Sequence, residues 1–461
     1  MLVKILENQK VKKLISFFDS YYYPAFLFAV VLLTHCLALD ILGFIITVLC
    51  FFLSTVLCDD LRSAIPFILM FPYVVSTQNS PGYAFSDYYA NPINLGIIVA
   101  LGLLVIIALV IRAITKKEYK NFFDFKNKKL LIGFLLLIPC YALAGLFSGW
   151  LDFNSIIVSV IMIVLQPIIY VVFSSGIKSK EDNVLYLARS ATWALVLMCL
   201  EIAFVYLLKY DFGMPLDDDW KGQIIVGSVV SNSASEFIVI LLPFVFYLAY
   251  KEKRGYLYYI IAAVSLIAIY FTLSRASLLF GIPMFIAGTI FLCFKGNNKT
   301  LFRALSISFA IIILGILIYV YASNNAAGLF EFFKSVGFSS RGRFKIWGEL
   351  LQKFKKAPIF GVGFSTYMQT SIHIDHIFKG LAHNTAIQIL CSTGIIGTLF
   401  FLYHIYELFK TFIKKATLNK TIVGVALLLF LGISLLDQIY FFPNFTVIYT
   451  LLLLIAEKET I

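Results

Sequence analysis

About fourteen apolar segments follow one another along this chain, separated by polar stretches, and that succession leaves few folds open. They run roughly over 25–39, 41–57, 61–75, 93–112, 130–147, 156–173, 186–208, 236–250, 256–273, 276–294, 304–322, 384–409, 421–436 and 443–456. Apolar residues make up 61% of the chain and charged residues 13%, against roughly 45–50% and about 25% in soluble globular domains. A water-soluble domain cannot bury so much apolar surface. The sequence therefore predicts an all-α, polytopic membrane bundle of about 12–14 transmembrane helices. Length alone would suggest several soluble domains, but residues 1–461 read as one integral membrane domain. Several segments are nearer about fifteen residues than the roughly twenty that a straight span takes.

The basic N-terminal stretch (Lys4, Lys10, Lys12, Lys13) runs into a true span with no small-residue cleavage pattern, so no cleavable signal peptide is expected. All seven cysteines lie in or at the ends of apolar segments, which argues against a disulfide framework or a cysteine metal site.

Lysine and arginine set the expected orientation. Alternate loops and both termini hold 26 of the 37 basic residues. The positive-inside tendency puts that face, and both termini, in the cytoplasm. The other face holds Lys209, Lys221, Arg275 and eight residues of one long loop, 323–383. A loop of that length inside a membrane bundle is usually functional, and its positive charge on the outer side points to an anionic substrate. The net charge of +12 is otherwise explained by topology, so nucleic acid is not an expected partner.

Within that loop, residues 340–358 read as an amphipathic helix, capped by Ser340 and ended by Pro358. Phe344, Trp347, Leu350, Leu351 and Phe354 form its apolar stripe, a pattern suited to lying along a membrane surface. Arg343 falls within the stripe, while Arg341 projects about 160° away. An arginine there either snorkels to lipid phosphate or faces a buried anionic ligand. Phe360-Gly361-Val362-Gly363-Phe364 reads as a tight, backbone-exposed turn rather than a dinucleotide fingerprint. His383, followed by Asn384, stands where the loop meets the next span. It is either an interfacial anchor or a proton acceptor for a hydroxyl nucleophile. Arg275, at the outer end of another span, either snorkels or serves function.

His373, Asp375 and His376, and the run Asp217-Asp218-Asp219, offer weak metal sites, and no metal or other cofactor is expected. Glu201 within a span and Asp437 near an outer end are second-rank candidates for pairing or acceptor contact.

Taken in order, these residues resemble the O-antigen ligase and Wzy-type polymerase superfamily. The pieces are Arg275 to Leu279, Arg343 to Trp347, the turn Pro358, Gly361 and Gly363, and His383-Asn384 followed by Gly394 and Gly397. The resemblance covers residues 265–400. It implies transfer of a glycan from an undecaprenyl diphosphate carrier to an acceptor hydroxyl at the outer face of the cytoplasmic membrane. It also implies that Arg275 and Arg343 bind the diphosphate and that His383 sits at the reaction centre. Arg341, Trp347, Asn384, Gly361 and Gly363 become candidate substrate contacts. The expected partners are the lipid-linked oligosaccharide, a glycan or lipid acceptor, the membrane and a chain-length regulator. A polymerase is the first expectation, because nothing suggests a dedicated binding domain for another acceptor. A ligase that joins the chain to a lipid A core is the alternative. A flippase or transporter would scatter charge along several spans, whereas these spans look nearly free of charge apart from Glu201.

Overall fold

The computed structural model describes residues 8–75, 91–210, 218–322, 343–364, 382–413 and 417–459. The chain forms a bundle of α-helices, and among the described residues the only strands are Ile225–Val226 and Val229–Val230, paired as a small antiparallel hairpin. In chain order the helices are α1 (Gln9–Phe18), α2 (Tyr22–Cys36), α3 (Asp40–Leu57), α4 (Ile65–Met70), α5 (Pro92–Thr115), α6 (Leu131–Ala142), α7 (Phe153–Gly176), α8 (Asn183–Lys209) and α9 (Asp218–Gln223). They continue with α10 (Ser231–Lys251), α11 (Gly255–Phe271), α12 (Arg275–Lys295), α13 (Lys299–Ala322), α14 (Arg343–Lys356), α15 (Thr385–Ile413), α16 (Leu418–Ser434) and α17 (Pro443–Lys458).

Among the described residues, seven helices are long and apolar enough to cross a membrane: α3, α5, α7, α8, α10, α12 and α15. The bent pair α1 and α2, at 79° to each other, would make eight. Shorter apolar helices, α6, α11 and α16 among them, pack between these. The expected set of spans thus divides into full-length helices and shorter ones. The segment 61–75 shows why: it breaks into two 3₁₀ turns flanking α4, where Pro66 and Pro72 each withhold a backbone donor.

The middle of the bundle is α10. It contacts α8, α11, α12 and α16, and nearly all of its side chains are buried. Small and β-branched residues let its neighbours approach: a Cβ on Gly288 of α12 would meet the Phe246 ring at 2.6 Å. Buried charge is compensated at the lysine-rich end. Arg112 bonds the Glu118 carboxylate and the backbone carbonyls of Thr55 and Cys58, tying the ends of α3 and α5 together. Glu201 is fully buried, with Oε1 3.6 Å from His35 Nδ1 and no hydrogen bond to either carboxyl oxygen among the described residues.

The same helices run from one charged face to the other. Helices α10, α12 and α15 begin near Glu236, Arg275 and His383 and end near Lys251, Lys295 and Lys410; α16 runs back from Lys420 toward Asp437. The candidate residues therefore lie at the end of the bundle remote from the lysine-rich loops.

Candidate active site

The helix expected over 340–358 is present as α14, from Arg343 to Lys356; Ser340 and Arg341 lie outside the described residues. Its apolar stripe does more than face a membrane. Ile346, Trp347, Leu350 and Phe354 pack on Ala382, Ile387 and Cys391 at the start of α15, leaving Phe344 exposed. The Trp347 indole N–H donates to the Ala382 carbonyl at 2.8 Å. The helix that carries Arg343 is thus latched to the residue just before His383.

The turn after Pro358 enters a break in α15. At Gly394 the backbone leaves the helical region (φ 68°, ψ −168°). The N–H groups of Val362 and Gly363 donate to the carbonyls of Cys391 and Ser392, and those of Ile395 and Ile396 donate to Pro358 and Ile359. Gly361 and Gly363 have φ of +71° and +84°, the region where glycine carries no Cβ penalty. A Cβ on Gly361 would lie 2.4 Å from Ser392 backbone, and one on Gly394 would lie 2.3 Å from the Ile359 oxygen. These glycines give the turn and the broken helix room to interlock.

His383 itself adopts a left-handed backbone, φ 49°. Its N–H donates to Gln438 Oε1 at 2.9 Å, and its Nδ1 lies 3.2 Å from Asp437 Oδ1. Asn384 caps α15 by accepting the Ile387 N–H, and its amide donates to the Leu435 carbonyl. Two residues of the loop thus bind the segment after α16 and aim the imidazole.

Asp437 is 7% exposed. Burial pushes its carboxyl up, but the bond to His383, the Gln438 N–H and the charge of Arg343 outweigh burial and hold it below the usual carboxylate value. An ionised carboxylate only accepts, so the proton between them belongs to Nδ1. In the neutral ring with that tautomer Nε2 is the nitrogen that carries a lone pair, and the side chain as a whole is 39% accessible.

Glu236, on the second turn of α10, was not singled out in the sequence. It is 1% exposed, its oxygens find no donor among the described residues, and its carboxyl lies against that of Asp437, with the charges of Arg343 and Lys221 acting on it. This corrects the expectation that the spans are nearly free of charge apart from Glu201. The signal was available: a carboxylate inside a span is a functional candidate by default. Lys221 donates to the Leu273 carbonyl beside the start of α12. Ser274, Ser277 and Ser235 form a hydroxyl chain from α12 to the neighbour of Glu236, with separations of 3.0 and 2.8 Å. Arg275 is the first residue of α12, at the same end of the bundle.

The structure joins His383 to Asp437, sets the charge of Arg343 on Asp437 and Glu236, and ties Trp347 and Asn384 to the backbone around His383, while Arg275 begins α12 at the same end of the bundle. Gly361 and Gly363 stand behind, in the break of α15. Asp217, His373, Asp375 and His376 lie outside the described residues. Among the described residues no three His, Cys, Asp or Glu side chains form a group that could hold a metal.

The helical bundle thus carries a histidine–carboxylate pair at one end. Residues 260–402 match the family described as O-antigen ligase, over under a third of the chain's length. That segment is similar to the O-antigen ligase family. No curated protein matches the chain.

Proposed function

We propose that the protein is a cell-surface polysaccharide polymerase that acts as one integral membrane unit. It moves glycan repeat units from an undecaprenyl diphosphate carrier to an acceptor hydroxyl at the outer face of the cytoplasmic membrane, with both termini in the cytoplasm. The observation that carries this reading is the His383–Asp437 pair, with the charge of Arg343 acting on its carboxylate, at the bundle end opposite the lysine-rich loops.

In this mechanism the acceptor oxygen attacks the anomeric carbon, and the bond from that carbon to the diphosphate oxygen breaks. The electron pair leaves with the lipid diphosphate, and the acceptor's proton passes to His383 Nε2. Asp437 fixes the tautomer and stabilises the imidazolium as it forms. Glu236 backs Asp437 from within the bundle. Arg343 and Arg275, with Arg341, hold the diphosphate, because a guanidinium binds two oxygens at once and keeps its charge. Charge that grows on the leaving group strengthens those bonds and lowers the barrier. Trp347, Asn384, Gly361 and Gly363 serve the substrate by holding the walls of the site. A cavity of about 680 Å³, lined by Phe71, Pro72, Val230, Phe442 and Asn444 and bordered by Ser233 one turn from Glu236, takes the carrier's isoprenoid chain.

The test uses membranes and lipid-linked repeat units. A ladder of products supports the polymerase. A single transfer to a different acceptor supports a ligase, the second reading, which the family's own description favours. His383→Ala, Arg343→Ala and Arg275→Ala each leave at most trace product while the protein still inserts. Wild-type yield from all three removes the proposal. Transfer is independent of divalent metal and survives EDTA; loss restored only by a divalent ion refutes that part.

A further inference from the structure

A second polar feature lies at the other end of α16. Lys420, on its first turn, is 1% exposed, and its ammonium has no hydrogen-bond partner among the described residues. The nearest aromatic face is Phe412, with the ammonium 5.9 Å from the ring centroid. Lys129 adds a second positive charge within electrostatic range. Glu407, on the facing helix, is engaged by Lys410 at 3.2 Å. An ammonium withdrawn from water without an anion is costly.

The lysine opens into a groove of about 230 Å³ between α15 and α16, walled by Leu408, Phe412, Gly424, Leu428 and Leu431. Gly424 makes the room: a Cβ there would lie 3.0 Å from the Phe412 ring. Leu428 is 57% exposed, so the groove is open to the side, where lipid surrounds a membrane bundle. Lys420 is fourteen residues from Ser434 along the helix, roughly 21 Å at 1.5 Å per residue, so this groove is separate from the His383 site.

We infer that this groove binds an anionic phospholipid of the leaflet on the lysine-rich face, with the phosphate on Lys420 and an acyl chain laid over Gly424. The two halves of the groove match the two halves of that ligand: a buried cation at the membrane surface and an apolar channel running inward. Basic pockets between helices at the cytoplasmic side are suited to such headgroups.

The full-length protein, delipidated and titrated with phosphatidylglycerol or phosphatidylcholine of matched acyl chains, is read by native mass spectrometry. Phosphatidylglycerol is retained about fivefold better, the worth of one lysine near a lipid phosphate. Lys420→Met removes the preference. Gly424→Leu fills the channel and lowers binding of both lipids with the lysine intact. Equal retention by the wild type, a preference that persists in Lys420→Met, or displacement of bound lipid by inorganic phosphate alone overturns the inference.

Discussion

Replacing Asp437 by Asn tests whether the carboxylate acts through His383. The amide keeps an oxygen that accepts the Gln438 N–H, which now donates to Oδ1 at 2.8 Å, so the fold around it is retained. What disappears is the negative charge facing Nδ1. A hydrogen bond to a charged group is worth about 1.5–3 kcal/mol. The His383 side chain is 39% accessible, so water competes and the lower end applies, about 1.5 kcal/mol. Lost in the transition state, that is about a tenfold slower transfer. The assay is the rate of lipid-linked glycan transfer by purified protein in vesicles, with His383→Ala and the double variant completing a cycle. In the His383→Ala background the Asn substitution has nothing left to act through and changes the residual rate little. An unchanged rate in Asp437→Asn alone, or a further tenfold loss in the double variant, refutes the reasoning.

The same carboxylate gives a pH prediction. Its folded value lies below the ordinary 3.8, so its stabilising contribution is fully present above 3.8 and is lost as pH falls through the lower folded value. The gap in unfolding temperature between wild type and Asp437→Asn stays constant from neutrality down to that ordinary value and narrows only below it. Trp347→Phe keeps the packing on Cys391 but loses the indole bond to Ala382. It lowers stability by about 1 kcal/mol in denaturant unfolding and slows transfer by loosening His383. Gly394→Ala forces a Cβ against the Ile359 oxygen at a positive φ, costing about 2 kcal/mol, read as a lower unfolding temperature with Gly102→Ala, where a Cβ meets nothing within 4 Å, as the comparison.

Much of the fold is legible along the chain because lipid leaves a helix few options: its backbone groups must pair within the segment, so a long apolar run commits itself locally. Helices α8, α10, α12 and α15 lie where hydropathy puts them, within a few residues. The amphipathic helix is equally local, since its stripe and its terminal Pro358 are read from spacing. Segment 61–75 was less legible, because two prolines interrupt a run that composition alone makes continuous.

For the site, His383, Arg343 and Arg275 stand out because charge is conspicuous beside apolar segments. Asp437 drew only second-rank notice and Glu236 none, since each looks ordinary until its neighbours are known. The docking of α14 on α15, the turn locked into the break at Gly394, and the meeting of Asp437 with His383 and Glu236 join residues that lie far apart in sequence. The chain by itself determined that this is a helical membrane protein with its unusual charges gathered at one face. Only the tertiary structure decided which carboxylate meets the imidazole, because a hydrogen bond depends on separations of about 3 Å that no local spacing encodes between the ends of different helices.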